Sequence, residues 1–340
     1  MECIRLGRTG LMVSRSGFGA IPIQRIPEVE SSILLRKAYD NGINFFDTAH
    51  GYTDSEEKIG KALTAVRSNI VLATKGMAKD GKTLQEQLEL SLKRLGTDYI
   101  DIYQIHNPVS FPRPGAEDGL YDVLLAAKRK GQIRFIGLTN HRIVIAREAV
   151  ASGLYDTIQF PLSSLSSAED LELVEAARRK DVGFIAMKGL AGGLLSDARP
   201  TFTFLRNINW PVPIWGIEKE WQLDQFLALE RDPPVMDEQM QAIIAKDRAE
   251  LAQSFCRGCG YCLPCPAGIE INFASRITLL MRRMPPAPYL SPVWQEKMAR
   301  IENCTACGQC RTRCPYSLDP PTMLKTQLRE YRKILEASPG

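Results

Sequence analysis

Eight short apolar runs rich in β-branched residues alternate with amphipathic stretches between about Gly17 and Leu229. The runs are SGFGA, INFFDT, NIVLATK, YIDIYQIH, IRFIGLTN, TIQF, VGFIAMK and VPIWG. Strands that alternate with helices are typical of a parallel sheet whose faces are covered by those helices. Eight such units predict an α/β fold with a closed (β/α)8 barrel, a TIM barrel, rather than an open doubly wound sheet.

Polar side chains stand at the carboxyl ends of several of these runs. They are Asp47, Lys75, His106, Asn140, Gln159 and Lys188. Because barrels of this kind build their active sites at the carboxyl ends of the strands, we expect these side chains to face one site.

Three of these residues, together with Tyr52, have the chemistry needed to transfer a hydride to a carbonyl. Tyr52 can donate a proton to the carbonyl oxygen, although a phenol with a pKa of about 10 is a weak acid at neutral pH. We expect Lys75 to favour the phenolate and so to lower the pKa of Tyr52, and Asp47 to hold Lys75 in place. His106 would orient or polarise the carbonyl.

Composition and charge exclude several other classes of protein. The chain has 340 residues with 43 Lys and Arg against 39 Asp and Glu, a net charge of +4. No basic or acidic run indicates nucleic acid as a partner. The N-terminal stretch carries charges where a signal peptide needs apolar residues, and no apolar run reaches the length of about 18 residues expected of a membrane helix. The sequence predicts a soluble, cytoplasmic protein without a membrane partner.

Eight of the nine cysteines form two runs near the C-terminus. The first cysteine run consists of Cys256, Cys259, Cys262 and Cys265, and the second of Cys304, Cys307, Cys310 and Cys314. The second run has the bacterial ferredoxin spacing C-x2-C-x2-C-x3-C-P, and the first is one residue shorter before its last cysteine. The pattern favours two [4Fe-4S] clusters over two zinc sites, because zinc would leave the third cysteine and the Cys-Pro of each run without a role. Cys3 lies outside both runs and is expected to be a plain thiol.

In ferredoxins with this spacing, the Cys-Pro of each run ligates the cluster of the other run. The first cluster is therefore expected on Cys256, Cys259, Cys262 and Cys314. The second is expected on Cys304, Cys307, Cys310 and Cys265. Metal ligands at this spacing fit a reducing compartment better than disulfides do.

Proline clusters divide the chain into parts. The pair Pro233-Pro234 follows the last barrel helix. We expect a barrel over residues 1–232, a connecting helix over 233–253 and a smaller, mainly helical ferredoxin-like domain with two clusters over 254–340.

Four motifs in order, FFDTAHGYTDSEEKIGKAL, VLATK, RLGTDYIDIYQIHNP and GQIRFIGLTN, resemble the aldo-keto reductases. IRLGRTGLMVSRSGFGA resembles their N-terminal hairpin and first strand. The C-terminal part resembles the two-cluster ferredoxin module that a subset of these enzymes carries. The resemblance implies a (β/α)8 barrel that binds NAD(H) or NADP(H) without a Rossmann fold, and no G-x-G-x-x-G follows a strand here. It also implies that Asp47, Tyr52, Lys75 and His106 are a catalytic tetrad.

The same resemblance implies a cofactor site. Its residues would be Ala20, Asp47, Thr139, Asn140, Gln159, Met187, Gly189, Leu190, Gly216, Glu218 and Gln222. Thr139 stands where the family commonly has serine, and Met187 where an aromatic ring usually stacks on the nicotinamide. GLAGGLL resembles the loop along the pyrophosphate. Because Glu218 would repel a 2′-phosphate and only Lys219 is cationic in that region, the sequence favours NAD(H) slightly over NADP(H).

Hydride transfer moves two electrons, whereas a cluster passes one at a time. Three functions accommodate both. The first is an NAD(P)H-dependent reductase of an aldehyde or ketone, or the reverse dehydrogenase, whose clusters are structural or sense redox state. The second is an electron-transfer oxidoreductase coupled through a flavin or a ferredoxin, with a redox partner protein. The third is a nicotinamide-sensing binding module without turnover, against which the intact tetrad argues.

Overall fold

The computed structural model describes residues 1–251, 255–283 and 286–337. By its internal contacts the chain divides into two units. The first comprises Met1–Gly189 and Arg199–Met240, and the second comprises Leu190–Ala198 and Gln241–Gly340. The boundary expected at 253–254 and the last three residues lie outside the described part of the chain.

The first unit is a closed barrel of eight parallel strands. Its strands are β3 (Gly17–Gly19), β4 (Phe45–Asp47), β5 (Val71–Gly76), β6 (Ile100–His106), β7 (Ile133–Thr139), β8 (Thr157–Pro161), β9 (Gly183–Met187) and β10 (Val212–Gly216). They pair in sequence order, and β10 closes the barrel on β3 through the pair Trp215 and Phe18. All eight predicted strands are present, so the predicted barrel is confirmed.

Helices follow the barrel strands as the alternating pattern predicts. They are α1 (Glu28–Asp40), α2 (Ser55–Leu63), α3 (Gly81–Leu95), α4 (Leu120–Arg129), α5 (Ile143–Ser152), α6 (Ala168–Arg179), α7 (Ala198–Ile208) and α8 (Glu220–Arg231). The start of α6 shows how local sequence sets a boundary. Ser167 Oγ accepts from the backbone N–H of Asp170, whose carboxylate accepts from the N–H of Ser167, so the two residues form a capping box.

The N-terminal hairpin of β1 (Cys3–Arg5) and β2 (Met12–Ser14) precedes the barrel. Its connection and second strand bury Leu6, Leu11 and Val13 in the same apolar cluster as strand residues such as Phe45 and Ile102. Side chains therefore fill the barrel interior beneath the carboxyl ends of the strands, as expected for eight strands.

Polar residues occupy paired positions near the carboxyl ends of four consecutive strands. Lys75 on β5 pairs with Gln104 on β6. His106 at the end of β6 pairs with Thr139 on β7, which in turn pairs with Gln159 on β8. Because adjacent parallel strands place paired residues side by side, the register alone brings these side chains to one end of the barrel.

The regular structure described in the second unit is helical, and the cysteine runs lie largely in the loops between its helices. After α9 (Glu238–Leu251) come α10 (Ile271–Ala274), α11 (Ile277–Arg283), α12 (Pro292–Ala299), α13 (Gln309–Arg313) and α14 (Pro320–Ala337). Their core combines aliphatic residues such as Ile271 and Leu324 with the buried cysteines Cys262 and Cys310. None of the described helices is both long and apolar enough to cross a bilayer.

Candidate active site and cluster sites

Asp47 and Lys75 form a buried ion pair at the carboxyl ends of β4 and β5. Lys75 Nζ lies 2.6 Å from Asp47 Oδ1, and the two residues are 1% and 2% exposed. Lys75 also donates to the backbone oxygen of Thr48. Burial lowers the pKa of Lys75, and Asp47 opposes that shift. The carboxylate therefore holds the ammonium group in position and opposes the loss of its charge.

Tyr52 lies in the turn between β4 and α2, where its ring is close to two other predicted catalytic residues. Lys75 Nζ is 5.4 Å from the centroid of the Tyr52 ring. The rings of Tyr52 and His106 meet edge to face, with centroids 6.1 Å apart and planes at 85°. The structure thus brings together all four residues of the predicted tetrad.

His106 is buried, with 8% of its surface exposed. Burial and the nearby charge of Lys75 lower the pKa of His106 to about 3. Its imidazole is therefore neutral at pH 7, so it can donate one N–H to an oxygen but cannot serve as a cationic acid.

Gln104 is a site residue that the sequence reasoning missed. Its Nε2 donates to Gln159 Oε1 at 2.7 Å and to Asp47 Oδ2 at 3.3 Å. Gln159 Nε2 lies 3.4 Å from Asp47 Oδ1. Two amides therefore hold the carboxylate that pairs with Lys75. The signal was available, because Gln104 stands two residues before His106 and so lies on the same face of β6.

Glu56 on α2 is a second buried acid that the motif analysis left without a role. It is 1% exposed, and its Oε1 accepts from Thr74 Oγ1 at 2.6 Å. Burial raises the pKa of Glu56, while its hydrogen bonds and Arg94 oppose the shift. The negative charge of Glu56 acts with Asp47 to favour the protonated form of Lys75.

The residues predicted to hold the nicotinamide amide follow the neighbouring strands. Thr139 and Gln159 are 1% and 2% exposed. Asn140 uses its side chain to organise its own loop: Nδ2 donates to the Pro108 oxygen at 2.9 Å, and Oδ1 accepts the backbone N–H groups of His141 and Arg142, each at 2.8 Å. Asn140 is thus a loop-positioning residue in this structure.

Ala20 follows β3, Met187 ends β9, and Gly189 stands two residues after it. The backbone N–H of Ala20 donates to the backbone oxygen of Asp47 at 2.8 Å. Met187 is half-buried and packs against the barrel core. A Cβ on Gly189 would lie 2.4 Å from the Trp215 ring, so only glycine fits there. The chain then enters the glycine-rich segment, Leu190–Ala198, which belongs to the second unit.

After the end of β10, the structure shows an ion pair that the sequence analysis did not predict. Glu218, predicted to be near the ribose, forms an ion pair with Arg25 Nη2 at 2.7 Å. The side-chain oxygen of Gln222 caps α8 by accepting the backbone N–H groups of Glu218 and Lys219 at 2.9 and 3.0 Å. Gly216 is exposed at the end of the strand. Sequence reasoning missed Arg25 because nearly 200 residues of chain separate it from Glu218.

The cysteines surround two cavities in the second unit. One cavity is lined by Cys256, Cys259, Cys262 and Cys314. Another is lined by Cys265, Cys304, Cys307 and Cys310, with Cys262 also at its wall. These are the two ligand sets that the ferredoxin pattern predicts. Cys3 is exposed on β1 and lines neither cavity.

Comparison with known families agrees with this two-part organisation. A family model described as "Aldo/keto reductase family" matches residues 15–205, and one described as "4Fe-4S dicluster domain" matches residues 255–319.

Curated relatives match the barrel part of the chain. L-galactose dehydrogenase of Arabidopsis thaliana is 34% identical over 223 residues, which cover 59% of this chain and 69% of that protein. The NADH-specific methylglyoxal reductase of Escherichia coli is 32% identical over 228 residues, which cover 58% of this chain and 69% of that protein.

Solved structures match as well. A Pseudomonas aeruginosa protein described as a "putative aldo-keto reductase" is 27% identical. The match has a TM-score of 0.61 and covers 71% of this chain and 95% of that one. An aldo-keto reductase of Bacillus halodurans shares the fold. It is 22% identical, and the match has a TM-score of 0.64 and covers 73% of this chain and 96% of that one. The chain is an oxidoreductase that belongs to the aldo/keto reductase family and carries a 4Fe-4S dicluster domain.

Proposed function

We propose that this protein reduces an aldehyde or ketone to an alcohol with NAD(P)H, or catalyses the reverse reaction, and that Tyr52 is the general acid. The observation that carries the proposal is the position of Lys75. Its ammonium group lies between the buried Asp47 carboxylate and the Tyr52 ring, at 2.6 Å from the first and 5.4 Å from the centroid of the second.

A bound nicotinamide dinucleotide supplies the hydride to the carbonyl carbon. Tyr52 donates its phenolic proton to the carbonyl oxygen, so the C=O group gains one hydride and one proton and becomes an alcohol. The positive charge of Lys75 stabilises the phenolate that remains, and Asp47 keeps that charge in place. In the reverse direction the Tyr52 phenolate accepts the hydroxyl proton.

His106 contributes as a neutral hydrogen-bond donor. Because burial holds its pKa at about 3, the imidazole keeps one N–H and does not release a proton during turnover at pH 7. An N–H directed at the carbonyl oxygen polarises the bond and orients the substrate for proton donation from Tyr52. Proton donation and carbonyl polarisation thus belong to different residues.

The residues at the strand ends fit a nicotinamide dinucleotide. Thr139 and Gln159 supply buried polar side chains, and Asn140 holds the loop between them. Gly192 and Gly193 in the glycine-rich segment have φ values of 69° and 88°, which glycine adopts without strain and which let backbone N–H groups approach a pyrophosphate.

We propose a preference for NAD(H). Arg25 is the cation best able to grip a 2′-phosphate in the region of Gly216, Glu218 and Gln222, but it is held by Glu218 at 2.7 Å. The carboxylate of Glu218 therefore both occupies Arg25 and repels a phosphate, whereas it accepts hydrogen bonds from a ribose diol. One curated relative, from Escherichia coli, is named as NADH-specific.

The two cysteine sets fit two [4Fe-4S] clusters. Each set of four thiols lines its own cavity, as a cubane with one thiolate on each iron requires. We propose that the clusters are structural or sense redox state, and that the protein works in the reducing cytoplasm.

Electron transfer with a redox partner protein is the second candidate function. It is favoured by the exposure of Cys307, a predicted ligand of the second cluster, because an exposed ligand brings a cluster within reach of another protein.

Replacing Tyr52 by Phe tests the leading proposal. We expect kcat for carbonyl reduction to fall by about 10²- to 10⁴-fold, since the variant lacks the proton donor. Nucleotide affinity, measured by quenching of protein fluorescence, should stay unchanged.

Tyr39→Phe is the matched control, because the Tyr39 hydroxyl bonds to Asn69 at 3.2 Å and lies outside the site. The proposal fails if Tyr52→Phe turns over small aldehydes and ketones as fast as the unaltered protein, or if the unaltered protein turns over none.

A further inference from the structure

Arg276 is a buried cation in the turn between α10 and α11. It is 5% exposed, and its Nε donates to the backbone oxygen of Asn272 at 3.0 Å. Within the described part of the chain no carboxylate forms an ion pair with it. A buried charge without a counterion is costly, so an anion is expected next to the guanidinium.

The first cysteine run supplies the place for that anion. A Cβ on Gly258, between Cys256 and Cys259, would lie 2.5 Å from Arg276 Nη2, so the guanidinium touches the backbone of this loop. With its four thiolates an oxidised [4Fe-4S] cluster carries a charge of about −2, which would balance the buried arginine.

The other side of the guanidinium holds the glycine-rich segment. Arg276 Nη1 donates to the backbone oxygen of Gly192 at 2.8 Å. Gly192 has a φ of 69°, and a Cβ there would lie 2.8 Å from the Arg257 oxygen and 3.1 Å from Arg276 Nη1. The segment is therefore closely packed against the first cysteine run, with Arg276 bonded to the segment and in contact with the run.

We propose that Arg276 is a positioning residue that couples the redox state of the first cluster to the binding of the dinucleotide. The inference rests on the proposed function, in which the glycine-rich segment follows the pyrophosphate and Cys256, Cys259, Cys262 and Cys314 hold the cluster. One guanidinium serves both: its planar fork can face a thiolate on one side while it bonds to a carbonyl on the other.

The direction of the coupling follows from charge. Reduction adds one electron from a chemical reductant, breaks no bond and takes the cluster from about −2 to about −3. The guanidinium is then attracted more strongly to the cluster, its bond to the Gly192 oxygen weakens, and the segment binds the pyrophosphate less tightly. By linkage, a bound pyrophosphate must disfavour reduction of the cluster by the same factor.

The test uses the cluster-loaded protein and ADP-ribose, which carries the pyrophosphate but cannot exchange hydride. Calorimetry gives its Kd for the oxidised and the dithionite-reduced protein, and an anaerobic titration followed by electron paramagnetic resonance gives the cluster potentials. We expect binding to weaken about fivefold on reduction, at the low end of ordinary allosteric coupling. That factor corresponds to a fall of roughly 40 mV in the potential of the first cluster when ADP-ribose is bound.

Arg276→Lys keeps the charge but not the fork, so the ADP-ribose-dependent shift should disappear while both clusters still form. Gly192→Ala displaces the segment from the other side and should abolish the same shift with Arg276 intact. Arg257→Gln is the control: its guanidinium lies over the Tyr316 ring, 4.3 Å from the centroid, so its loss should move the resting potential and leave the shift unchanged.

The outcomes separate this inference from the proposed function. If the protein assembles no clusters or does not bind ADP-ribose, the proposed function and the inference fall together. If both are present but the potential does not respond to ADP-ribose, or responds equally in Arg276→Lys, the inference alone is wrong.

Discussion

The barrel and the second unit build their interiors in different ways. In the barrel, apolar strand residues such as Phe45 and Ile102 fill the interior, and polar side chains above them bond to one another, as Gln104 does to Gln159 and Asp47. In the second unit, the buried cysteines Cys262 and Cys310 are members of the core and also line the cavities described above.

The difference indicates which part needs a prosthetic group in order to fold. Close packing and hydrogen bonding complete the barrel without one. The thiols at the two cavities of the second unit are placed to bind clusters, and the stability of small metal domains includes the free energy of metal binding. We therefore expect a preformed catalytic site in one unit and a cluster-dependent fold in the other.

Removing iron should show this difference between the two units most clearly. Anaerobic chelation is expected to raise amide hydrogen exchange in 255–283 and 286–337 to near that of an unfolded chain, because the core loses both clusters. Strands β4 to β8 should keep their protection. Exchange measured by mass spectrometry on the full chain, with and without iron, resolves the two regions.

Cys262→Ser should act in the same direction, since Cys262 lines both cavities. Cys3→Ser is its matched control, because Cys3 is exposed on β1 and should leave exchange unaltered. Equal protection of the second unit with and without iron would contradict a cluster-dependent fold.

On the barrel side, His106 makes stability depend on pH. Its pKa is lowered from 6.5 to about 3 in the folded protein, so between these values the unfolded chain binds a proton that the folded barrel does not. Stability from this group is complete above pH 6.5 and is lost as pH falls towards 3, by on the order of 5 kcal/mol. The free energy of unfolding of His106→Gln, measured with denaturant, should depend less on pH between 6.5 and 3 than that of the unaltered protein. If the two proteins show the same dependence on pH, His106 titrates normally.

The smallest predicted effect concerns the dinucleotide. Glu218→Gln releases Arg25, so the ratio of the KM for NADPH to that for NADH should fall roughly tenfold as the free guanidinium gains a phosphate partner. Glu220→Gln is the control. Glu220 is the first residue of α8, and its carboxylate pairs with Lys37 at 2.7 Å. An unchanged ratio in Glu218→Gln would remove Arg25 from the cofactor site.

Local pattern was enough to predict the barrel. The eight runs became β3 to β10, and the strand ends with Asp47, Lys75 and His106 meet because parallel strands end on the same side. The cysteine spacing likewise predicted the two sets that line the cavities, because ferredoxin ligand sharing follows from that spacing.

What the sequence did not predict depends on contacts between distant segments. Arg25 meets Glu218, and Arg276 meets Gly192, across long stretches of chain that no local periodicity relates. The glycine-rich segment was expected within the barrel, at 1–232, but its contacts group it with the second unit. The sequence of the segment indicates that glycine is needed there, but it does not indicate which neighbouring residues require glycine.

The most direct test of the account is an anaerobic absorption titration of the cluster-loaded protein with NADH, then NADPH, then small aldehydes and ketones. The account predicts that the near-ultraviolet band of the reduced nicotinamide falls only after a carbonyl is added, while the visible cluster absorption stays constant. Bleaching of the cluster absorption by the nicotinamide alone would contradict it, because electrons would then pass between the two units without a carbonyl substrate.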